Sequence, residues 1–139
     1  SSFTGNGTGP GGGATSGNGG NGGNGGAIFV FFGSTLNVSD AVFTGNSTGP
    51  GGTGTTQGSG GFGGAVYAFG MGETGTTTVA ITRSTFTGNS TGLGNPRGFG
   101  GAIAVQNKVV LTVTETTVSG NTAGSGGGID ITPWRSMVS

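Results

Sequence analysis

The sequence contains no cysteine and no histidine among its 139 residues. Without cysteine there is neither a disulfide framework nor a thiolate metal site. Without histidine the commonest metal ligand and general base is missing as well. We therefore expect no metal ion and no cofactor.

Charged residues are also scarce, since four basic and four acidic residues leave no net charge. The basic residues are scattered singly, so neither nucleic acid nor an anionic membrane surface is expected as a partner. No apolar run approaches the roughly 20 residues that a membrane-spanning helix requires. Because the sequence opens with neither Met nor a signal-like segment, we expect a processed chain or a piece of a longer one.

Glycine, in contrast, supplies 38 residues, while only 29% of the chain is hydrophobic. A two-layer globule around a single large core is therefore not expected. Collagen is excluded because there is no strict Gly-X-Y period and there are only 4 prolines. The apolar residues are instead clustered in short runs that resemble strands.

Two short motifs alternate along the whole chain. Repetition of one unit is the signature of a solenoid, in which each copy buries its apolar side chains only by stacking on the next. We expect a single β-solenoid domain over residues 1–139, with coils at about 3–38, 43–81, 86–113 and 118–139. The first motif, Phe/Val-Thr/Ser-Gly-Asn, occupies residues 3–6, 43–46, 86–89 and 118–121, and the second, Gly-Gly-Ala/Gly-Ile/Val, occupies residues 25–28, 63–66, 100–103 and 126–129.

Alignment of the copies shows which side chains face inward, because side chains on a strand alternate with period two. The chain must bend before a further column, formed by Phe3, Phe43, Phe86 and Val118, so each coil has three short strands. This predicts an all-β parallel β-helix of about four coils without caps at its ends. The tail 132–139, with Met137, is expected to supply the last second strand. The inward columns are Ile28, Val66, Ile103 and Ile129; Val30, Ala68, Val105 and Ile131; Leu36, Val79 and Leu111; and Val38, Ile81 and Val113.

Two polar columns follow from the same alignment, and both are expected to be structural ladders. Asparagines fall at one corner, where stacked amides can hydrogen-bond from coil to coil. Charged residues fall at another corner, where a spacing of roughly 4.8 Å would place an arginine between two carboxylates. The asparagine column is Asn6, Asn46, Asn89 and Asn121, and the charged column is Asp40, Arg83 and Glu115.

The glycine-rich spacers 7–24, 47–62, 90–99 and 122–125 shorten along the chain, so one corner of each coil accepts insertions. So much glycine raises the entropy cost of any regular element, and we expect flexible loops. No Gly-Lys-Ser/Thr follows them, which argues against a phosphate cradle.

The motif Phe-x-x-Asn followed by Gly-Gly-Ala-Ile/Val resembles the repeat of chlamydial polymorphic outer-membrane proteins. The run 111–129 is likewise similar to many right-handed β-helix surface proteins. The resemblance implies a right-handed parallel β-helix at a cell surface. It leaves function open, because such repeats serve adhesins, autotransporter passengers, fibre proteins and polysaccharide-active enzymes.

Catalysis on a β-helix would need clustered acids. Asp40 and Glu115 are two coils apart with Arg83 between them, Glu73 lies in an insertion, and Asp130 is on another strand. This dispersal predicts a protein that is not an enzyme.

Outward aromatic residues form the candidate binding surface. An apolar patch of their combined size is seldom left bare on a monomer. It is either a platform for a glycan or protein partner, or it is covered by the spacers 7–24 and 47–62 or by a neighbouring subunit. The four rings are Phe29, Phe31, Tyr67 and Phe69.

Asn37 is the preferred N-glycosylation acceptor, because it points outward from a strand while the sequons at Asn6, Asn46 and Asn89 belong to the asparagine column. Clustered threonines are candidates for O-linked sugar or for ice binding. The absence of a regular Thr-x-Thr column argues against ice.

The leading hypothesis is a non-catalytic extracellular or cell-surface protein that self-associates through open solenoid ends. It would be a fibre subunit stacked head to tail or a segment of a longer stalk. The alternative is an adhesin that uses the aromatic face.

Overall fold

The computed structural model describes residues 1–71 and 75–132 of the chain. Within these residues all regular structure is β-strand, and the strands are three to six residues long. They are β1 (Ser2–Thr4), β2 (Ile28–Phe31), β3 (Thr35–Ser39), β4 (Val42–Thr44), β5 (Val66–Phe69), β6 (Thr77–Thr82), β7 (Thr85–Thr87), β8 (Ile103–Gln106), β9 (Val109–Thr114), β10 (Thr117–Ser119) and β11 (Ile129–Thr132).

The strands form three parallel sheets. Their orders are β1-β4-β7-β10 (the first sheet), β2-β5-β8-β11 (the second sheet) and β3-β6-β9 (the third sheet). Successive strands of the chain belong to different sheets, so each circuit returns the chain beside the equivalent strand of the previous circuit. This confirms the predicted parallel β-helix. The predicted second strand around Met137 lies outside the described residues.

The strands pair in the register that the alignment of repeats predicts. In the second sheet Ile28 pairs with Val66, Val66 with Ile103, and Ile103 with Ile129. In the third sheet Leu36 pairs with Val79 and Val79 with Leu111. A slip of one residue would turn every inward side chain outward, so the buried face holds this register.

The core is a stack of equivalent side chains from successive coils. Phe43 and Phe86 are fully buried, and so are Val66, Ile81 and Ile103. The ring of Phe43 lies between those of Phe3 and Phe86, at centroid distances of 4.6 and 4.4 Å. Fully burying one such side chain contributes about 1.5–3 kcal/mol.

Core positions on the outermost strands are less covered. Ile131 was predicted to face the core, but it is 50% exposed because β11 has a neighbouring strand on one side only. Its partner in β8, Val105, has a strand on each side and is 3% exposed.

The glycine-rich spacers are ordered, and the expectation of flexible loops is wrong. Each of the longer spacers runs outward and returns, and its two arms are joined by backbone hydrogen bonds such as Gly20 N–H to Gly12 O at 2.8 Å. Further bonds join neighbouring coils at every third residue: Gly19, Gly22 and Gly25 donate to Thr56, Ser59 and Phe62. A period of three residues is that of the polyproline II helix. We call the spacers 7–24, 47–62 and 90–99 the glycine lobe.

Close packing of backbones explains why the glycine lobe consists of glycine. A Cβ atom on Gly22 would overlap the carbonyl oxygen of Gly49, and one on Gly11 would overlap that of Gly20. The collagen triple helix requires glycine for the same reason, since nothing larger fits between the chains. Backbone hydrogen bonds between segments thus replace the side-chain core that these residues cannot form.

Candidate functional site

The asparagine column forms a continuous hydrogen-bonded ladder. The backbone N–H and Nδ2 of Asn6 both donate to Oδ1 of Asn46, at 3.0 and 2.9 Å. Asn46 donates in the same way to Asn89, and Asn89 to Asn121, all at 2.9 Å. Asn46 and Asn89 are fully buried. A buried polar side chain of this kind stabilises a fold only when its donors and acceptors are matched, as they are here.

A second set of bonds links each asparagine to the coil before it. Nδ2 of Asn46 donates to the carbonyl of Phe3 at 2.9 Å, and Nδ2 of Asn89 donates to that of Phe43 at 3.0 Å. The bonds between asparagines are nevertheless directional, because each Oδ1 accepts only from the asparagine of the preceding coil. Among the described residues, Oδ1 of Asn6 accepts no hydrogen bond and the backbone N–H of Asn121 donates none.

Glycine before each asparagine produces the corner. Gly5, Gly45, Gly88 and Gly120 have φ between 62 and 64°. Residues with a Cβ atom seldom adopt this left-handed conformation, whereas glycine does so at little cost. The turn brings each asparagine amide beneath the preceding strand, where it reaches the coils on both sides.

Asp40, Arg83 and Glu115 also lie above one another. Each directly follows a strand of the third sheet, and their φ values of 50, 46 and 49° place all three in the left-handed region. Nε and Nη2 of Arg83 donate to Oδ1 and Oδ2 of Asp40 at 2.8 and 2.7 Å. No hydrogen bond or ion pair joins Arg83 to Glu115 within residues 1–71 and 75–132. The arginine was expected to lie between two carboxylates, but its side chain pairs with one of them, in a bidentate arrangement through Nε and Nη2.

This bidentate pair affects the ionisation of both residues. The hydrogen bonds from Arg83 lower the pKa of Asp40, and those to Asp40 raise the pKa of Arg83. Both side chains remain more than half exposed, so water screens the pair and it fixes register more than it stabilises the fold.

The aromatic residues of the second sheet are brought together, but they are not equally accessible. Phe29 and Phe31 are 50% and 44% exposed, whereas Tyr67 is 4% exposed. Phe29 contacts Tyr67 at a centroid distance of 5.1 Å, and Phe31 contacts Phe69, which is partly buried, at 5.8 Å. The expected four-ring platform therefore lacks an accessible Tyr67.

The glycine lobe accounts for the burial of Tyr67. Phe62, at the end of one spacer, packs against Tyr67 at 5.8 Å and stacks on Phe99 at 5.2 Å. The phenol hydroxyl donates to Oε1 of Gln106 at 2.7 Å. Burial raises the pKa of Tyr67 to about 12. The spacer 47–62 therefore covers Tyr67, as one of the alternatives from the sequence proposed.

Phe32 completes the exposed cluster and was missed in the sequence. It is 39% exposed, and its ring lies 3.5 Å from that of Phe31. It follows β2 with φ of 36°, so it leaves the strict alternation of the strand. The turn residues Gly33 and Ser34, directly after it, were the available signal that the strand ends there.

The described carboxylates that form hydrogen bonds do so with different partners. Asp40 is paired with Arg83, while Asp130 accepts hydrogen bonds from Thr132 at 2.7 Å and Ser125 at 3.4 Å. Glu73 lies outside the described residues. In the part of the chain that the structure describes, no three acidic side chains converge to hold a metal ion.

Asn37 is exposed in the middle of β3, on the outer face of the third sheet. Of the asparagines in the other sequons, Asn46 and Asn89 are buried within the ladder. The structure thus leaves Asn37 accessible, and its modification remains a prediction. Within the described residues no helix is long and apolar enough to cross a membrane.

Stacked strands joined by a Phe column and an Asn ladder define a parallel β-helix of Phe-x-x-Asn repeats. Residues 83–106 match the family model of the Chlamydia polymorphic membrane protein repeat. The match runs from Arg83 through Phe86 and Asn89 to the Gly-Gly-Ala-Ile motif, and it confirms the predicted resemblance. Searches of curated proteins and of solved structures gave no match.

Proposed function

We propose that this chain is a non-catalytic scaffold of a cell surface. It is built to have a further coil stacked on its open edges, supplied by a second copy of the chain in a fibre or by further repeats in a longer stalk. One observation carries the proposal: the unmatched acceptor of Asn6 and the unmatched donor of Asn121 are complementary.

The polarity of the ladder supports head-to-tail stacking. Every interior step joins the N–H and Nδ2 of one asparagine to Oδ1 of the next. Placing Asn121 of one copy before Asn6 of another repeats that step. Head-to-head stacking would instead place the Oδ1 of one Asn6 against that of another, so the step of the interior ladder could not be repeated.

The strand edges support the same geometry. β1, β2 and β3 lie at one edge of their sheets, and β10, β11 and β9 lie at the other. Phe3 and Ile28 on the first edge are partly exposed, whereas their paired residues Phe43 and Val66 are fully buried. An edge strand has backbone N–H and C=O groups without a partner strand. Together with partly exposed apolar side chains, such an edge is a template for the addition of a further strand.

The surface location rests on the family match, since the matching repeat belongs to membrane proteins of Chlamydia. The non-catalytic role is supported by the separation of Asp40, Glu115 and Asp130. A surface with few charges and many small polar side chains offers few groups that could act in catalysis.

Sedimentation velocity over a range of concentrations tests the stacking. We expect reversible association that Asn6→Ala weakens by about tenfold, because two charge-neutral hydrogen bonds are lost at the new junction. Asn37→Ala, an exposed asparagine away from the edges, is the matched control and should associate normally. A wild-type chain that stays monomeric at all concentrations, or an equal effect of both variants, would contradict the stacking of copies in a fibre.

An adhesin is a second candidate, favoured by the half-exposed cluster of Phe29, Phe31 and Phe32. Aromatic faces of this kind stack on sugar rings and on partner side chains. A glycan-array screen should then give ligands whose binding Phe31→Ser abolishes and Val110→Ser, an exposed apolar control on the third sheet, leaves unchanged. An array without ligands would leave the scaffold as the better description.

A further inference from the structure

The outer face of the first sheet carries two columns of small hydroxyl side chains. Each column takes one residue from β1, β4, β7 and β10, and the pairing register places its members directly opposite one another. Seven of the eight side chains are Ser or Thr. The columns are Ser2, Val42, Thr85 and Thr117, and Thr4, Thr44, Thr87 and Ser119.

This face is flat. Neighbouring strands of a sheet are usually rotated by roughly 20 to 25°. Here the stacked rings behind the face, Phe3 on Phe43 and Phe43 on Phe86, are parallel to within 4 and 3°. The asparagine ladder repeats with constant hydrogen-bond lengths beside them. Stacking and side-chain ladders of this kind stabilise sheets with little twist, so we expect the outer face to be nearly flat.

The spacing of the hydroxyl groups is regular in two directions. Strands lie about 4.8 Å apart, and alternate residues of one strand lie about 6.6 to 6.8 Å apart. Both repeats are close to oxygen–oxygen repeats of hexagonal ice. The third sheet lacks this regularity, because its outer rows place Val110 opposite Thr78 and Ala80 between Asn37 and Thr112.

The hydroxyl groups in the centre of the face are not used by the protein. Within the described residues, the side chains of Thr44, Thr85, Thr87 and Thr117 make no hydrogen bond. Next to the columns lie Gly45 and Gly88, around which even an added Cβ would meet nothing within 4 Å. The surface directly around these two glycines is therefore open.

We propose that this face binds ice. Threonine presents a hydroxyl that hydrogen-bonds water and a methyl group that orders the water beside it. A fixed, flat array of both therefore holds a layer of water in positions close to those of the lattice. Because the rings and amides behind it are already locked, little further ordering of the protein is needed on binding. The sequence argument against ice overlooked this face, because its Thr-x-Thr column is interrupted by serine at Ser2 and Ser119 and by Val42.

The test uses the purified chain, with growing ice crystals as the probe. We expect crystal shaping, a gap between melting and freezing points, and inhibition of recrystallisation. Thr87→Lys places a long charged side chain in the centre of the plane. It should raise the concentration needed to inhibit recrystallisation by about tenfold or more, as loss of a central contact residue does. Thr112→Lys, the same change at an exposed site of the third sheet, should have no effect.

A second pair of variants tests whether a loss of activity results from misfolding. Tyrosine favours strands, so Thr87→Tyr and Thr112→Tyr retain β-propensity while adding equal bulk. Circular dichroism and thermal melting verify that each variant is folded. Ice shaping lost in both Thr87 variants and kept in both Thr112 variants supports the proposal. A wild-type chain without effect on ice, or equal losses at the two sites, overturns it and leaves the stacking proposal untouched.

Discussion

Oδ1 of Asn89 accepts hydrogen bonds from both the backbone N–H and the Nδ2 of Asn46, each at 2.9 Å, across 43 positions of sequence. Nδ2 of Asn89 also reaches the carbonyl of Phe43. One buried amide therefore joins two coils and satisfies groups that water cannot reach. The repeat of this relationship makes the solenoid a single hydrogen-bonded stack instead of a series of independent turns.

Replacing Asn89 tests that role. Asn89→Ala should lower the free energy of unfolding by about 2–4 kcal/mol, because the buried donors of Asn46 lose their acceptor. Urea denaturation followed by circular dichroism measures the change. Asn37→Ala, in the exposed middle of β3, is the control. A loss within about 0.5 kcal/mol, the size expected for a surface substitution, would show that the ladder is dispensable.

The glycine lobe offers a matched pair of glycine variants. Gly22→Ala should destabilise the protein by about 1–3 kcal/mol, because its Cβ overlaps the backbone of Gly49. Gly12→Ala places its Cβ in open space and should be neutral or stabilising by up to about 1 kcal/mol. Thermal melting and limited proteolysis of the lobe distinguish the two. Equal tolerance of both substitutions would mean that the lobe is not packed in solution.

Tyr67 is the single tyrosine of the chain, so its ionisation can be followed by absorbance alone. Burial raises its pKa to about 12 from 10.0, and the folded protein should titrate late. The unfolded chain releases this proton at lower pH than the folded one. Stability should therefore fall as pH rises from about 10 to about 12. Phe62→Ala uncovers the ring and should bring the pKa back towards 10.0. A wild-type midpoint at the ordinary value would contradict the burial.

The pair formed by Asp40 and Arg83 predicts a second pH effect. The folded-state pKa of Asp40 lies below 3.8, so its contribution is present above that pH and is lost as acid protonates the carboxylate. Carbon-detected NMR titration should give a pKa for Asp40 that rises when Arg83→Gln removes the partner. Lys108→Gln is the control, since it removes a cation without touching this pair. An Asp40 pKa that is unchanged by Arg83→Gln would exclude the bidentate geometry in solution.

Much of the β-helix was predictable because period-two alternation and repetition are local properties of the sequence. Aligning Phe43 with Phe86, or Val66 with Ile103, needs no knowledge of distant contacts, and both pairs are neighbours in the structure. The asparagine ladder was predictable for the same reason. Each asparagine follows the Phe or Val of its motif by 3 positions in the sequence.

The glycine lobe was not predictable in this way. Its order depends on hydrogen bonds between Gly22 and Ser59 or between Gly11 and Pro50, which lie in different spacers of unequal length. Glycine carries no side chain whose pattern could reveal a partner, so composition alone indicated flexibility. The burial of Tyr67 was hidden for the same reason, because its cover comes from the end of a spacer.

The repeated sequence by itself determined which residues stack, since an inward position in one coil is inward in the next. Tertiary structure decided what those stacks produce: a packed lobe of glycine backbones, one partner for Arg83 instead of two, and a face of hydroxyl groups on the first sheet. The physical reason is that repetition sets which residues are equivalent. Partner choice and burial depend on competition among groups that only the folded chain brings within contact distance.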